Sequence, residues 1–589
     1  LIRATLAHSV QMGWGAGVTD IRTAFLLAPR PKPQDAREVI VVPPKILVEA
    51  KVCSPSERWR VHNALYGFTS SPAHWAVHRD QVMSGFTWKM DGCDFSLKRT
   101  EEGNLWKIMK HGHGDAEPTC EGHVIVYVDD IMALANDNVR NSFFDRLKKE
   151  WKCSDVETVD KNEWIRFCGF ELKRHDDGVS LMVGQKSYTA ELLKRHEHVS
   201  PKSCPMPKLD SSETDETDIT TPDVRAAQAI TGELLWLSVR SRPDIAYAVS
   251  VMGRNVTRKP RWVQQLGQHV LGFLCNTPET CLLYRPCNKD HGAHGTLQVP
   301  RHEKLIEAFA DISFAPQGDR SHQGIILCAA GSPIQWEATR QAFHTMSTAE
   351  SELVGYCEAT TMLKSAEALL KVIHGSCNTG DGFDGFEKVI YGDNSSALSI
   401  LMNPDGGWRT RHLRLRSSCL RELLKSDPQT WKVRHQRGVD LPADMLTKPI
   451  TLLRDWVKFW HFLGFHVDAS IPKYDPENTP QKTSKGSSKT TATSGPDETK
   501  GSDDVVTKVK VIVAMAALAV ASSAAGRADV RLACATAAAA CAGWLACNWH
   551  PAPSSADRSK EICLDGREVE KPSRAIGLKS EKDARGDEP

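Results

Sequence analysis

Two short apolar runs separated by a pair of acids form the clearest pattern in the chain. Residues Val124–Val128 and Ile131–Leu134 flank Asp129 and Asp130. Apolar runs of this length, joined by a tight connection, are typical of a buried β-hairpin. The pattern therefore predicts a hairpin that holds the two acids at its tip.

The same kind of pattern predicts helices on both sides of this hairpin. Residues 1–14 and 64–83 are expected to be helical before it. Residues 141–151 have the spacing of an amphipathic helix after it. Residues 30–60 are rich in proline and then favour an extended chain.

A polar segment separates this region from two further predicted helices. Residues 201–222 are rich in Pro, Ser, Thr and Asp and carry no core signal, so we predict a loop. Residues 226–238 and 242–249 are predicted to be two helices that are split at Pro243. Asp244 is interpreted as a helix cap rather than a catalytic acid.

The pattern changes after Leu305, where apolar and polar positions alternate. The predicted elements are strands at 309–314, 323–329 and 333–338, a helix at 348–373 and a strand at 388–391. Three strands, a helix and a strand form the opening order of a ribonuclease H fold. We therefore expect an α/β domain of that kind here.

Composition limits the number of domains and the kinds of partner. The chain has 589 residues, 41% of them hydrophobic, which is enough for three or four domains with cores of their own. Its formal net charge is +1, so any footprint for nucleic acid must be local. The 17 cysteines include no Cys-x-x-Cys pair, which argues against a zinc ribbon and against a disulfide scaffold.

The two acids of the predicted hairpin need a counter-charge. Without one, desolvation and mutual repulsion would disfavour the charged forms of Asp129 and Asp130. Mg²⁺ prefers one or two carboxylates together with waters and phosphates, so a third acid would complete a site for phosphoryl transfer. Asp20, at a predicted strand end, is our candidate. The alternative is that Tyr127–Asp130 forms a solvated surface turn.

Three blocks of the sequence resemble the reverse transcriptase of copia-type LTR retrotransposon polyproteins, in the family's order. They are Thr19–Leu26, Leu65–Phe68 with Pro72 and Trp75, and Tyr127–Asp130. The resemblance implies a right-hand polymerase palm in which Asp20, Asp129 and Asp130 are the metal-binding acids.

The resemblance also implies a nucleotide pocket at Phe25, Tyr127 and Ser70. Phe25 stands where related enzymes hold an aromatic residue against the sugar, although a core phenylalanine is the alternative. The family carries a Lys-Gln pair where this chain has Thr69 and Ser70. The family's basic fingers segment precedes the point at which this chain begins, so we expect a fragment whose polymerase is impaired.

In the second region the resemblance implies ribonuclease H. Asp311, Glu352, Asp393 and Asp444 stand where the copia-type blocks carry their acids, and residues 441–449 are close to the closing block. Four carboxylates can hold two divalent ions about 4 Å apart for the hydrolysis of a phosphodiester.

Two assignments in this region stay open. Glu350 competes with Glu352, but Ser347–Glu350 is a capping box in which the Glu350 carboxylate would accept a hydrogen bond from the amide of Ser347, so we favour Glu352. His435 suits a proton shuttle or product release, and an exposed loop histidine is an equal alternative.

A basic segment supplies the local footprint for nucleic acid. From Arg409 to Arg437 there are nine Lys or Arg residues and two acids. Arg411, Arg414 and Arg421 recur at helical spacing, so we expect them, with Arg409, to contact the phosphates of a duplex. Contacts of this kind suit a nuclease that recognises an RNA–DNA hybrid by its shape and 2′-hydroxyls. A solvated basic face is the alternative.

The resemblance ends at residue 465. Composition predicts a disordered linker over 466–504 and a disordered tail over 551–589. Between them, residues 505–550 contain two Ala-rich runs of 16 residues each. A helix of this length spans about 24 Å, short of a hydrocarbon core of about 30 Å. We interpret the runs as helices or as read-through of flanking sequence, and a membrane hairpin is the alternative.

Together these patterns predict an α+β multidomain protein. We expect a palm with truncated fingers over 1–200, a loop over 201–222, a helical connection over 223–300 and a ribonuclease H-like domain over 301–465. The predicted function is RNA-directed DNA polymerase and ribonuclease H of a copia-type element. Its expected partners are dNTPs, primer–template and RNA–DNA hybrids, with two Mg²⁺ per active site and Mn²⁺ as the alternative ion. The expected location is intracellular, in a cytoplasmic particle or the nucleus. The alternative function is a decayed or co-opted copy that binds nucleic acid without polymerising.

Overall fold

The computed structural model describes residues 1–471 with short gaps. The residues outside this description are 31–37, 113–116, 198, 209–214, 288–300, 317–319, 376–384, 403–412, 414, 416, 468 and 472–589. The predictions for Arg409, Arg411 and Arg414, for residues 472–504 of the linker, for the Ala-rich runs and for the tail over 551–589 therefore lie outside the described residues. The described residues belong to one unit of close contacts, and the domain boundaries proposed within it stay predictions.

The described chain contains both helices and strands. The helices are α1 (Ile2–Gln11), α2 (Ala24–Leu27), α3 (Lys45–Glu49), α4 (Ser71–Ser84), α5 (Asp137–Glu150), α6 (Lys186–Arg195), α7 (Thr221–Ser238), α8 (Ala246–Asn255), α9 (Pro260–Asn276), α10 (Thr348–His374), α11 (Ser395–Met402), α12 (Ser418–Ser426) and α13 (Leu453–Leu463). The strands are β1 (Gly15–Asp20), β2 (Ile40–Val41), β3 (Trp59–Arg60), β4 (Thr87–Met90), β5 (Cys93–Arg99), β6 (Leu105–His111), β7 (Thr119–Tyr127), β8 (Asp130–Ala135), β9 (Glu157–Thr158), β10 (Ile165–Phe167), β11 (Phe170–Arg174), β12 (Leu181–Gly184), β13 (Cys281–Tyr284), β14 (Leu305–Ser313), β15 (His322–Ala329), β16 (Ser332–Arg340), β17 (Glu387–Gly392), β18 (Trp431–His435) and β19 (Phe465–His466). None of the described helices is both long enough and apolar enough to cross a membrane. The coarse prediction of a mixed α and β fold is confirmed.

A seven-stranded sheet carries the first group of acids. Its order is β4-β5-β6-β7-β8-β1-β9, and β7 and β8 form the predicted hairpin. Its side chains alternate between two cores: Val126 and Ile131 face Phe143 of α5, whereas Ile125 and Met132 face a second core. Because both faces are covered, the runs around the acids are apolar throughout rather than alternating with polar residues.

A five-stranded sheet carries the second group of acids. Its order is β16-β15-β14-β17-β18, in which β14, β15 and β16 are antiparallel and β17 and β18 run parallel to β14. Helix α10 connects the antiparallel part to β17. The predicted strands and the predicted helix at 348–373 are confirmed in order and position. A further sheet, β10-β11-β12-β13-β19, joins residues from both halves of the chain.

Three sequence-based predictions need correction. The helix expected over 64–83 begins only at Ser71, because Gly67 has a φ of +92° and turns the preceding residues away. The helix expected at 226–238 begins earlier, at Thr221, because Thr220 and Asp223 form a capping box. Residues 45–49 form a short helix where an extended chain was expected.

Three buried histidines join α1, β7 and the end of α10. His8 Nδ1 lies 3.1 Å from His374 Nε2, and the His123 ring centroid lies 5.3 Å from that of His8. A short contact between ring nitrogens requires one of them to be an unprotonated acceptor. Burial first, and then neighbouring cations and histidines, lowers the pKa of His8 and brings the pKa of His374 to about 4.

This junction predicts that the protein loses stability in mild acid. The unfolded chain binds a proton at His374 near pH 6.5, whereas the lowered pKa of about 4 means that the folded chain binds it only at lower pH, so stability falls as the pH drops through this window. From pH 7 to pH 5 we expect the free energy of unfolding to fall by about 2 kcal/mol. Chemical denaturation at the two pH values measures this change.

A double variant, His8→Leu with His374→Leu, tests whether these histidines cause the pH dependence of stability. Replacing both partners removes the titrating groups without leaving one of them unpaired. The pH dependence should become shallower in this variant and stay unchanged when the exposed His344 is replaced by Gln. An equally steep loss of stability in the double variant would contradict this explanation.

Candidate active sites

Three acids meet at the tip of the β7–β8 hairpin. Asp130 begins β8 and pairs directly with Asp20, the last residue of β1, while Asp129 lies in the turn. Burial first, and then the Asp129 charge, raises the pKa of both Asp20 and Asp130. The three acids therefore share one end of the sheet, where they are half-buried.

Helix α4 holds the turn that carries these acids. Val128 has a φ of +56°, a left-handed conformation that is costly for a β-branched residue. Its carbonyl accepts hydrogen bonds from Trp75 Nε1 at 2.6 Å and from Arg79 Nη1 at 3.2 Å. The amide of Ile21 donates to the Asp129 carbonyl at 3.0 Å. Contacts from outside the hairpin thus keep the tip in a strained conformation.

Two of the residues predicted for nucleotide binding, Phe25 and Tyr127, lie near this tip together with Tyr66. The Phe25 ring contacts the Tyr66 ring, with centroids 4.9 Å apart. Desolvation and then the Asp129 charge raise the pKa of Tyr66, so its hydroxyl lies within electrostatic reach of the acids. Tyr127 is largely exposed beside them, and Ser70 is exposed at the start of α4. Tyr66 was not among the residues predicted for the nucleotide pocket.

A second group of acids gathers at the end of the five-stranded sheet. Asp311 lies on β14, Glu352 on the first turns of α10, and Asp393 directly after β17. One oxygen of each of these three carboxylates lies within 4.8 Å of the other two. Within the described part of the chain, this is the group whose spacing suits a metal ion.

The electrostatics of this second group favour the binding of a cation. Glu352 is 2% exposed, and its Oε2 atom has no hydrogen-bond partner among the described residues. Burial, and then the charges of Asp311 and Asp393, raises the pKa of Glu352 to about 9. A divalent cation bound by these oxygens would supply both a partner and a compensating charge, so the residues fit one.

Asp444 lies beside this group but has a different partner. Lys448 Nζ lies 2.7 Å from Asp444 Oδ1 and 3.3 Å from Asp311 Oδ1. Thr447 Oγ1 donates to Asp311 Oδ2. Burial first, and then the Asp311 charge, raises the pKa of Asp444 to about 7, while Lys448 opposes this shift.

A glycine lets the Asp444 turn reach the sheet. Gly324 on β15 pairs with Asp311, and the 3₁₀ turn Pro442–Leu446 packs over it. A Cβ at Gly324 would lie 2.5 Å from Leu446 Cβ and 2.9 Å from Thr447 Cγ2. The missing side chain is therefore what allows Asp444, Thr447 and Lys448 to approach Asp311.

Glu350 serves the start of α10 and does not join the acid group. Its carboxylate accepts a hydrogen bond from the amide of Met346 at 2.7 Å, and its own amide donates to Ser347 Oγ. We expected the amide of Ser347 to be the partner, so the cap is one residue displaced. The structure places Glu352, not Glu350, with Asp311.

Two other predicted site residues contact the protein's own backbone. His435 is exposed, and its Nε2 donates to the backbone carbonyl of Asp393 at 3.1 Å, next to the acids. Arg421 Nη2 donates to the Ile400 carbonyl and to Ser417 Oγ. These contacts give Arg421 a structural role between α11 and α12, and its contact with nucleic acid stays a prediction.

The chain is similar to polyproteins of plant transposons. It is 25% identical over 456 residues to the retrovirus-related Pol polyprotein from transposon RE2 of Arabidopsis thaliana, a match covering 76% of this chain and 28% of that protein. It is 24% identical over 475 residues to the corresponding polyprotein from transposon TNT 1-94 of Nicotiana tabacum, covering 76% and 31%. The chain thus spans about three tenths of these relatives.

A yeast relative is matched over most of its length. A putative transposon Ty5-1 protein of Saccharomyces cerevisiae is 25% identical over 333 residues, which cover 54% of this chain and 92% of that protein. These relatives confirm the resemblance to retrotransposon Pol polyproteins. No protein-family model matches the chain. A structure of the foamy viral protease-reverse transcriptase in complex with dsDNA aligns over 72% of this chain and 68% of that one. Its identity is 10% and its TM-score 0.15, which supports no inference about the fold.

The packing at Gly324 predicts a specific effect of adding one methyl group. Gly324→Ala should lower the free energy of unfolding by about 1–3 kcal/mol, because the backbone carbonyl of Ala443 lies 3.0 Å from the new Cβ and cannot yield as a flexible side chain would. Denaturant unfolding measures the loss. In α8, a Cβ at Gly253 would meet nothing within 4 Å, so Gly253→Ala should be neutral or stabilising. Equal effects of both substitutions would contradict this interpretation of the turn.

The hydrogen bond from α4 predicts that Trp75→Phe loosens the hairpin tip. Loss of the Nε1 donor should cost about 1–2 kcal/mol and speed hydrogen exchange at the amide of Ile21, which donates to the turn. Trp88→Phe is the matched control, because Trp88 lies on the edge strand β4 and its Nε1 donates to Ser142 Oγ of α5. Unchanged exchange at Ile21 in Trp75→Phe would show that α4 does not hold the tip.

Proposed function

We propose that this chain is the reverse transcriptase and ribonuclease H portion of a copia-type retrotransposon polyprotein. The observation that carries the proposal is the meeting of Asp311, Glu352 and Asp393, three acids far apart in the sequence, within 4.8 Å. Similarity to retrovirus-related Pol polyproteins supports the same assignment. The proposed reactions are DNA synthesis at the hairpin tip and cleavage of the RNA strand of an RNA–DNA hybrid at the second group.

The order of strands supports a ribonuclease H-like domain. Three antiparallel strands are followed by α10 and by β17, which returns parallel to β14. This connection puts the end of β17 beside the middle of β14, so that Asp393 reaches Asp311. A carboxylate oxygen of Asp311 on β14 lies within 4.8 Å of one from Glu352, on the first turns of α10.

In the proposed nuclease, the three acids would hold divalent cations, with Mg²⁺ expected. When bound, such ions supply an activated water and stabilise the leaving oxygen of a phosphodiester. The protein's own part is to hold the carboxylates in place before substrate arrives. Thr447 orients Asp311, and His435, beside Asp393, is placed to accept or donate a proton at the surface.

In the proposed polymerase, Asp20, Asp129 and Asp130 would hold the corresponding ions at the hairpin tip. The contact between the rings of Phe25 and Tyr66 forms an apolar wall beside these acids, suited to the sugar of a dNTP. Tyr127, exposed at the end of β7, would contact the primer–template or the nucleotide.

A copy without polymerase activity is the second candidate. Ser70 stands at the position of the family's pocket glutamine, is exposed, and makes no capping hydrogen bond with α4. A serine cannot make the contacts of the longer glutamine amide. This observation favours a chain whose nuclease is intact and whose polymerase is weak.

Paired assays on the full chain test the proposal. With Mg²⁺, the protein should cleave the RNA strand of a labelled hybrid, and Asp393→Asn should reduce cleavage to background. Asp130→Asn should leave cleavage intact and remove any primer extension. Asp94→Asn is the matched control, because Asp94 is an exposed acid on β5 that pairs with the exposed Lys89.

Each outcome decides between the candidates. Cleavage without extension would support the copy with a weak polymerase. Hybrid binding with neither activity would support a co-opted copy and reject the enzymatic proposal. Cleavage that survives Asp393→Asn would show that the acid group is not the active site.

A further inference from the structure

Lys448 occupies one side of the acid group at the end of the five-stranded sheet. Its ammonium bridges Asp444 Oδ1, at 2.7 Å, and Asp311 Oδ1, at 3.3 Å. Thr447, the preceding residue, binds the other oxygen of Asp311. Thr447 and Lys448, which directly follow the 3₁₀ turn Pro442–Leu446, thus each bind one carboxylate oxygen of Asp311.

The backbone fixes this bridge. The amide of Lys448 donates to the Asp444 carbonyl at 3.0 Å, and the amide of Thr447 donates to the same carbonyl at 3.2 Å. Asp444 and Lys448 therefore stand one turn apart, facing the same direction. The turn lies on the glycine of β15, which leaves room for it to approach Asp311.

The two sides of the acid group have different partners. Glu352 is 2% exposed, and its Oε2 atom has no partner among the described residues, which points to a ligand on its side. The oxygens spaced for a cation are those of Asp311, Glu352 and Asp393, and this set does not include Asp444. The Asp444 side already has a positive charge from the chain itself.

We infer that Lys448 is a positioning residue that limits the free protein to one divalent cation, held by Asp311, Glu352 and Asp393. Asp444 becomes a cation ligand only after the Lys448 ammonium has moved away from it. The Lys448 side chain is 40% exposed, so it has a route to solvent. A phosphodiester backbone entering the site offers the ammonium another anionic partner.

This inference rests on the proposed nuclease function and adds an order of events to it. A second cation and the lysine compete for the same two carboxylates, because both are attracted to the same negative charge at contact distance. Substrate binding would therefore bring the phosphodiester into the site and also free Asp444 to bind a second cation. Free protein, with the lysine in place, would be protected from holding two ions without substrate.

Cation binding without nucleic acid tests the inference. The full chain, with Asp20→Asn and Asp130→Asn to remove the other acid group, is titrated with Mn²⁺ and followed by calorimetry and electron paramagnetic resonance. With Lys448 present we expect one ion per chain. Lys448→Met should bind a second ion at least about tenfold more tightly than the parent does, since a competing charge has been removed. Adding Asp444→Asn to Lys448→Met should restore one ion.

Lys371→Met is the matched control. Lys371 is an exposed lysine that also pairs with one carboxylate, Glu367, one turn away on α10. Lys371→Met should leave the number of bound Mn²⁺ ions at one per chain. Two ions in the parent protein, or one ion in a folded Lys448→Met variant, would overturn the inference.

A second variant keeps the test decisive if Lys448→Met does not fold. With Lys448 present, Asp444→Asn alone should still bind one Mn²⁺ per chain, because Asp311, Glu352 and Asp393 hold that ion. A folded Asp444→Asn variant that binds no Mn²⁺ would overturn the inference. Hybrid cleavage is measured separately: predicted ion counts without cleavage would reject the proposed function alone, and cleavage with the wrong counts would reject the role of Lys448 alone.

Discussion

Asp311 is 1% exposed and lies within reach of two other carboxylates, one of them equally buried. Burial disfavours each charged form, and like charges at this distance disfavour one another further, so the arrangement is stable only with positive charge nearby. The surrounding elements bring the acids together and place a positive charge beside them. β17 returns beside β14 to deliver Asp393, α10 begins where Glu352 can face inward, and the closing turn brings Lys448 to the opposite side.

The hairpin tip meets a milder form of the same constraint in a different way. Asp20, Asp129 and Asp130 are half-buried, so water shares the cost of their charges, and no lysine bridges them among the contacts that the structure describes. The strained part of this site is the backbone of the turn. Val128 takes a left-handed conformation, and Trp75 and Arg79 of α4 bind its carbonyl. One site is therefore organised mainly by charge and the other by hydrogen bonds to a strained turn.

The parts of the fold that short-range patterns control could be predicted from the sequence. The β7–β8 hairpin was found because apolar residues covering both faces of a sheet leave a clear signal, and the strands around Asp311 were found because apolar and polar positions alternate along the chain there. The capping role of Glu350 followed from four consecutive residues, although Met346 rather than Ser347 proved to be its partner. The late start of α4 was missed because Gly67 decides it through a single dihedral angle.

The contacts that complete the sites could not be found in this way. Lys448 stands four residues after Asp444, which hints at a pair, but its second partner, Asp311, is 137 residues away. Gly324 looks like any strand glycine until the closing turn is placed above it. Arg421 has the spacing of a phosphate-binding residue, yet its guanidinium contacts the end of α11. Each depends on which distant elements the fold brings together.

The central claim is that Asp311, Glu352 and Asp393 form one cation site, and anomalous diffraction from crystals grown with Mn²⁺ tests it most directly. The account predicts a manganese peak within about 2.2 Å of an oxygen from each of the three carboxylates, as expected for a hard divalent ion. Ordered manganese bound elsewhere on the protein, with none between these three acids, would contradict it.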